Sequence, residues 1–191
     1  MGVKQLTLKS LLSFRETAHC SSIQFMNYFM EEPVHLNLNP PGQQAQELEQ
    51  HLRDIAASQL FAVLSTVGGK QPYASLVAFA ASADLACIYF STSRTTRKFN
   101  NLEGNPRAAM LMDNRSNQVT DLRRAAAATA VGRVEEIGPD KEGVFKKVFL
   151  AKQPHMGEFL VSSNTARLCL RVDTYYVVSR FQSVFEFRVV P

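Results

Sequence analysis

The stretch Ile88-Tyr89-Phe90-Ser91-Thr92-Ser93-Arg94-Thr95-Thr96-Arg97-Lys98-Phe99-Asn100-Asn101-Leu102-Glu103-Gly104-Asn105-Pro106 changes character twice. Ile88-Tyr89-Phe90 is aromatic and β-branched, which reads as a strand. Ser91-Thr92-Ser93 is a hydroxyl-rich loop. Thr95 or Thr96 then serves as the N-cap of a short helix, because a hydroxyl there can accept an otherwise unpaired backbone N–H. Phe99 and Leu102 sit three apart and give the helix one apolar side. Gly104 and Asn105-Pro106 end it. Arg97 and Lys98 occupy the first helical turn, where the helix dipole favours acids. Two cations there are consistent with an anion at that end, since free N–H groups, hydroxyls and cations together suit a phosphate monoester. A solvated helix start with two surface cations is the plainer alternative.

Working outward, residues 43–58 carry Ala45, Leu48, Leu52, Ile55 and Ala56 at helical spacing, with Glu47, Glu49, Arg53 and Asp54 opposite. This predicts an amphipathic helix. Leu60-Phe61-Ala62-Val63-Leu64-Ser65-Thr66 is an apolar strand, and Val67-Gly68-Gly69-Lys70 a hairpin turn. The returning strand covers residues 72–80, and Ser82-Ala83-Asp84 turns the chain into the strand that opens the central stretch. Beyond Pro106, residues 107–112 form a fourth strand. The polar loop Asp113-Asn114-Arg115-Ser116-Asn117-Gln118 follows, either as a turn or as a site.

Residues 125–137 read as a long strand, with a bulge marked by Gly132. Gly138-Pro139-Asp140 opens a helix whose Val144, Phe145, Val148 and Phe149 form one face. Residues 167–172, 175–178 and 185–189 read as three further strands. The total is about seven strands with two or three helices. Short turns link the early strands, so the fold class is mainly β with flanking helices (α+β), an antiparallel closed or split barrel.

The chain has 191 residues, 46% of them hydrophobic, and a formal charge of +4. The pI of about 9.1 comes without a Lys/Arg run, so the basicity reads as a mildly charged solvated surface in preference to a nucleic-acid partner. No apolar run approaches the ~20 residues of a membrane span. Cys20, Cys87 and Cys169 are widely spaced and odd in number. They argue against a disulfide framework or zinc site and for a reducing, cytoplasmic setting, with Cys87 and Cys169 as small buried hydrophobes. His51 and His155 read as a solvated and a packing residue. Residues 1–42 read as an N-terminal extension and linker, ending in Asn37-Leu38-Asn39-Pro40-Pro41-Gly42, and residues 43–191 as the domain proper. Removal of residues 1–29 is expected to leave that domain folded, unless Phe25, Tyr28 and Phe29 pack over it.

The order of helix, Phe61-Ala62-Val63-Leu64-Ser65-Thr66, Gly-Gly turn, Pro72-Tyr73-Ala74-Ser75, Tyr89-Phe90-Ser91-Thr92, Thr96-Arg97-Lys98 and Asn105-Pro106 resembles the FMN-binding split barrel of pyridoxamine 5'-phosphate oxidase relatives. The resemblance spans residues 43–190. It implies FMN at the interface of a homodimer. Arg97 and Lys98, helped by Thr96, would take the phosphate. Thr92 and Ser93 would meet the flavin or ribityl chain, and Ser75, Leu76 and Val77 would lie along the flavin. Asn114, Ser116, Asn117 and Gln118 would reach the flavin edge, of the partner's site.

The oxidase itself resembles a pattern with Arg and Lys five apart on the second strand, where this chain has Ser75 and Ala80. The chain also has no Trp, and its last His is His155. The expectation is therefore an FMN-dependent oxidoreductase that is not the vitamin B6 oxidase, with an unidentified small molecule as electron donor or acceptor. The cofactor, rather than a protein acid or base, would carry the chemistry. Rival readings are an FMN- or haem-binding protein without turnover and, on the pI alone, a nucleic-acid module.

Overall fold

The structure, a computed structural model, describes residues 36–37, 42–121, 125–179 and 183–189. The elements in chain order are β1 (Leu36–Asn37), α1 (Gly42–Ser58), β2 (Phe61–Gly68), β3 (Gln71–Ala81), β4 (Cys87–Ser93), α2 (Arg97–Gly104), β5 (Arg107–Asp113), β6 (Ala127–Glu136), α3 (Glu142–Lys152), a single 3₁₀ turn (Pro154–Met156), α4 (Gly157–Val161), β7 (Thr165–Ser179) and β8 (Ser183–Arg188). The strands run in the order β1-β8-β7-β4-β3-β2-β5-β6, and β6 pairs again with β7, closing six of them into an antiparallel barrel. The expected barrel class is observed. β1 lies within the stretch expected to be linker and pairs in parallel with β8. Residues 1–35, including the aromatic run at Phe25, Tyr28 and Phe29, lie outside the described residues.

Sequence alternation explains the layers. In β2, Ala62, Leu64 and Thr66 point into the barrel, while Phe61, Ser65 and Val67 point out. The barrel interior is closed at its ends by Leu48, Leu52 and Ile55 of α1 and by Phe99 and Leu102 of α2. A second apolar layer lies outside the sheet. There Tyr89 of β4 meets Phe145 of α3 edge-on at 5.6 Å, and Phe145 stacks on Phe149 at 5.2 Å.

Gly69, at φ 62°, occupies the tight turn joining β2 to β3, where the left-handed region favours glycine. The β6–β7 register shifts between Val131 and Gly132, where a bulge was expected, but the extra residue is Asp173 on β7 and Gly132 lies opposite it.

Three expectations are corrected. β7 is one continuous strand of 15 residues. Thr174 pairs with Val131 of β6 and Arg188 of β8, and Asp173, the residue the β6–β7 register skips, accepts the N–H of Val189 at 3.1 Å, so the strand continues through what looked like a break. On α3 Phe145 and Phe149 are buried and Val148 packs against the same cluster, while Val144 is 56% exposed, so the expected face holds without Val144. Finally, Cys87 and Cys169 form a disulfide between β4 and β7, with Cα atoms 5.9 Å apart. The antiparallel register sets Tyr89 opposite Cys169, placing Cys87 two residues away on the same face. The cysteine argument for a reducing compartment therefore falls. Among the described residues, no helix is long and apolar enough to cross a membrane.

Candidate functional site

The centre of the site is the junction of β4 and α2. Thr96 is the N-cap, with extended backbone. Its hydroxyl donates to Ser93 O at 2.8 Å and accepts the N–H of Phe99 at 3.4 Å. A hydroxyl has one proton, so the 3.0 Å contact with Thr92 is a bond donated by Thr92 Oγ1. Thr96 is thus fully occupied in shaping the loop. Ser93 Oγ is bonded to Thr95 Oγ1 at 2.9 Å and receives Asn164 Nδ2 at 2.9 Å. Thr96 O takes the N–H of Asn100. The N–H groups of Arg97 and Lys98 are left pointing out of the first turn, available to solvent or an anion.

Three cations surround this turn, and their partners differ. Arg94 is committed to an ion pair with Glu136 and lies over the Phe99 ring at 5.2 Å. That pairing raises the Arg94 guanidinium above its usual range, through the hydrogen bond first and the opposite charge second. Arg97 and Lys98 form no ion pair among the described residues. The Arg97 guanidinium rests 4.8 Å over the ring of Tyr73 on β3, a contact that orients it without neutralising it. α2 is itself anchored by a buried bond from Asn101 Nδ2 to Thr66 Oγ1 at 3.0 Å.

The β3 residues divide by strand alternation. Ser75 shares a face with Tyr73 and Val77. The Val77 side chain is in the barrel core, so only its main chain borders the outer face. Ser75 Oγ is buried without a hydrogen-bond partner. A buried orphan hydroxyl costs about 1–3 kcal/mol unless a ligand or water completes it. Leu76 projects the other way and is 65% exposed.

The loop residues form a second group. Asp121 accepts the N–H groups of Ser116 and Gln118 at 2.8 and 3.0 Å, and the Ser116 hydroxyl at 3.0 Å. Burial pushes the Asp121 carboxyl up, but these bonds outweigh it and hold the group below its usual range. Asn114 Oδ1 accepts the N–H of Ala126 at 2.7 Å. Asn114, Ser116 and the Gln118 main chain are therefore occupied in closing the loop. Asn117, at φ 60°, joins Leu76, Phe61, Leu111 and Arg115 around a cleft of about 200 Å³.

The structure thus gathers Thr92, Ser93, Thr96, Arg97 and Lys98 at the helix start, and Leu76 with Asn117 at the cleft. Among the described residues no hydrogen bond joins the two groups. Sequence reasoning missed Tyr73, Asn101, Thr66 and Asn164. Only Asn101 carried a signal, as an Asn inside a helix, where its propensity is poor.

The residues present fit an FMN phosphate. The features that fit it are the free N–H groups at the α2 start and the two cations beside them, which form no ion pair among the described residues.

The sequence model of the family described as pyridoxamine 5'-phosphate oxidase matches residues 48–173. No curated protein sequence matches the chain significantly. Among solved structures, a heme binding protein from Mycobacterium smegmatis is similar with TM-score 0.67 and 20% identity, over 79% of this chain and 60% of that one. HutZ, the heme storage protein from Vibrio cholerae, is similar with TM-score 0.56 and 17% identity, over 71% and 96%. An FAD-binding protein (mll6688) from Mesorhizobium loti is similar with TM-score 0.55 and 15% identity, over 68% and 90%. This chain spans about three fifths of the length of the Mycobacterium smegmatis protein, the match covering 60% of it. At these identities the likeness is one of fold. With the closed antiparallel barrel and a family match over residues 48–173, about two thirds of the chain, the chain belongs to the pyridoxamine 5'-phosphate oxidase family.

Proposed function

We propose that this chain is an FMN-binding flavoprotein that works as a homodimer and transfers hydride or electrons to or from a small molecule. The observation that carries the reading is the α2 start: Arg97 and Lys98, without an acidic partner among the described residues, lie beside two open N–H groups, while the neighbouring Arg94 is neutralised. In this reading Arg97, Lys98 and the first-turn N–H groups bind the phosphate. Thr96 and Thr92 hold the loop rigid behind it, and Ser93 borders the ribityl chain. FMN, when bound, supplies the redox chemistry.

The outer face of β2 and β3 supports the dimer reading. Phe61 is 55% and Leu76 65% exposed there, and Val67 is also exposed. A patch of this kind on a sheet marks a contact surface, and two-fold pairing is the commonest solution. Pairing across it would bring the Asn114, Ser116, Asn117 and Gln118 loop toward the partner's flavin.

The experiment is the absorption spectrum of the purified protein, followed by flavin titration of wild type and the Arg97→Ala/Lys98→Ala variant. Bonds to charged groups contribute about 1.5–3 kcal/mol each. Losing two cations should raise the FMN dissociation constant by ~100-fold or more. Equal affinity in the variant refutes the site. A haem reading is favoured by the likeness to two structures described as a heme binding protein and a heme storage protein. A Soret band, without flavin bands, would decide for it. Light scattering that gives one chain mass with flavin bound refutes the dimer.

A further inference from the structure

We propose that the cleft between α1 and α3 is a second ligand site, taking a small organic anion with an apolar body whose carboxylate or sulfonate sits on Lys152. The cleft has a volume of about 430 Å³, within the ordinary range of small-molecule pockets. Its walls are largely alanine methyls, from Ala56 and Ala57 on α1, Ala80, Ala81 and Ala83 at the end of β3, and Ala151 on α3. Short side chains on all sides are what leave the space open, and they offer an apolar ligand body contact without hydrogen-bonding competition.

Charge gives the cleft its preference. Two cations line it, and their states differ. Arg53 is committed to Glu49, with its Nε 3.2 Å from the carboxylate, and also donates to Ala83 O. Lys152 forms no ion pair among the described residues. Its ammonium donates to Ala56 O and lies 3.6 Å over the Phe79 ring. An ammonium has three N–H donors, so part of its capacity faces the cleft. Burial alone lowers the Lys152 pKa to about 8, with no carboxylate opposing the shift. A partly desolvated cation without a counter-ion, at the wall of an apolar cleft, is complementary to an anionic amphiphile. None of the cleft residues belongs to the α2 site, so the two sites stand or fall separately.

The test uses the full chain and the fluorescent probe 8-anilinonaphthalene-1-sulfonate. Wild type should bind one probe per chain. Lys152→Gln should weaken binding about tenfold, the loss of one charge-assisted bond. Lys152→Arg should restore most of it. Ala57→Phe, which fills the cleft and keeps the charge, should abolish binding and keeps the proposal testable if Lys152→Gln fails to fold. Unchanged affinity in Lys152→Gln or Ala57→Phe overturns the proposal. So does loss of binding in Arg97→Ala/Lys98→Ala, which would put the probe in the flavin site. If the cleft variants change the solution mass and leave probe fluorescence unaltered, the cleft is a contact between copies and the proposal fails.

Discussion

Gly132→Ala is the sharpest test of the barrel's geometry. Gly132 sits in β6 where the register with β7 shifts, and a Cβ added there would lie 1.8 Å from Arg171 O, 2.8 Å from Arg171 C and 3.0 Å from Val172 Cα. Real Cβ contacts essentially never fall below 3.0 Å, so the β7 backbone would have to retreat by more than 1 Å (3.0 minus 1.8 gives 1.2). Nothing flexible can give way, because all three atoms are main chain. β7 is also the strand that pairs with β4, β6 and β8. Overpacking against side chains costs about 1–3 kcal/mol. Displacement of a shared strand should reach or exceed the top of that range, about 3–5 kcal/mol. In a chain of this size each kcal/mol moves the melting point by roughly 2–4 °C. Thermal unfolding followed by circular dichroism should show Gly132→Ala melting at least ~6 °C below wild type. Gly143→Ala is the control: it lies in α3 with nothing within 4 Å of the added Cβ. It should melt at or slightly above wild type, since Ala is favoured over Gly in helices by roughly 0.5–1 kcal/mol. If the two variants melted alike, the close β6–β7 approach would be refuted.

Tyr175→Phe removes the fully buried Tyr175 Oη that donates to Leu85 O at 2.7 Å and leaves that carbonyl orphaned, so urea unfolding should show a loss of about 1–3 kcal/mol. Denatured without reductant, the chain should expose one thiol to a colorimetric reagent, that of Cys20, because Cys87 and Cys169 are bonded to each other; three thiols would contradict the pairing. The lowered Lys152 pKa, about 8 against an ordinary 10.5, means the unfolded chain binds more protons between those values. Stability should therefore gain a rising contribution with pH across about 8 to 10.5, fully developed above that window and absent below it; Lys152→Met should flatten this part of the wild-type profile, and identical profiles would refute the assignment.

The elements that sequence reading placed well are those set by neighbours in the chain. The strands β2 and β3, the Gly69 turn, the Thr96 cap and the irregularity at Gly132 each arise from a few adjacent residues. Their steric and hydrogen-bonding demands are local, so residue types announce them. The barrel class followed because short turns leave few ways to arrange antiparallel strands, while the strand order came from the structure. The helix start with Arg97 and Lys98 was visible for the same reason: cap, cations and hydroxyls lie within one turn.

What the tertiary structure decided is which distant side chains meet. Cys87 and Cys169 are 82 residues apart, and only the β4–β7 register brings them together. Arg94 and Arg97 look equivalent in the sequence, yet one meets Glu136 from β6 and the other the ring of Tyr73 from β3. Lys152 looks like an ordinary cation ending a helix, and becomes a half-buried charge because α1 and the end of β3 close around it. Strand register and helix docking are set by the summed packing of the whole core, a property no short window contains, so the pairing of each charge and sulfur is fixed only when the barrel closes.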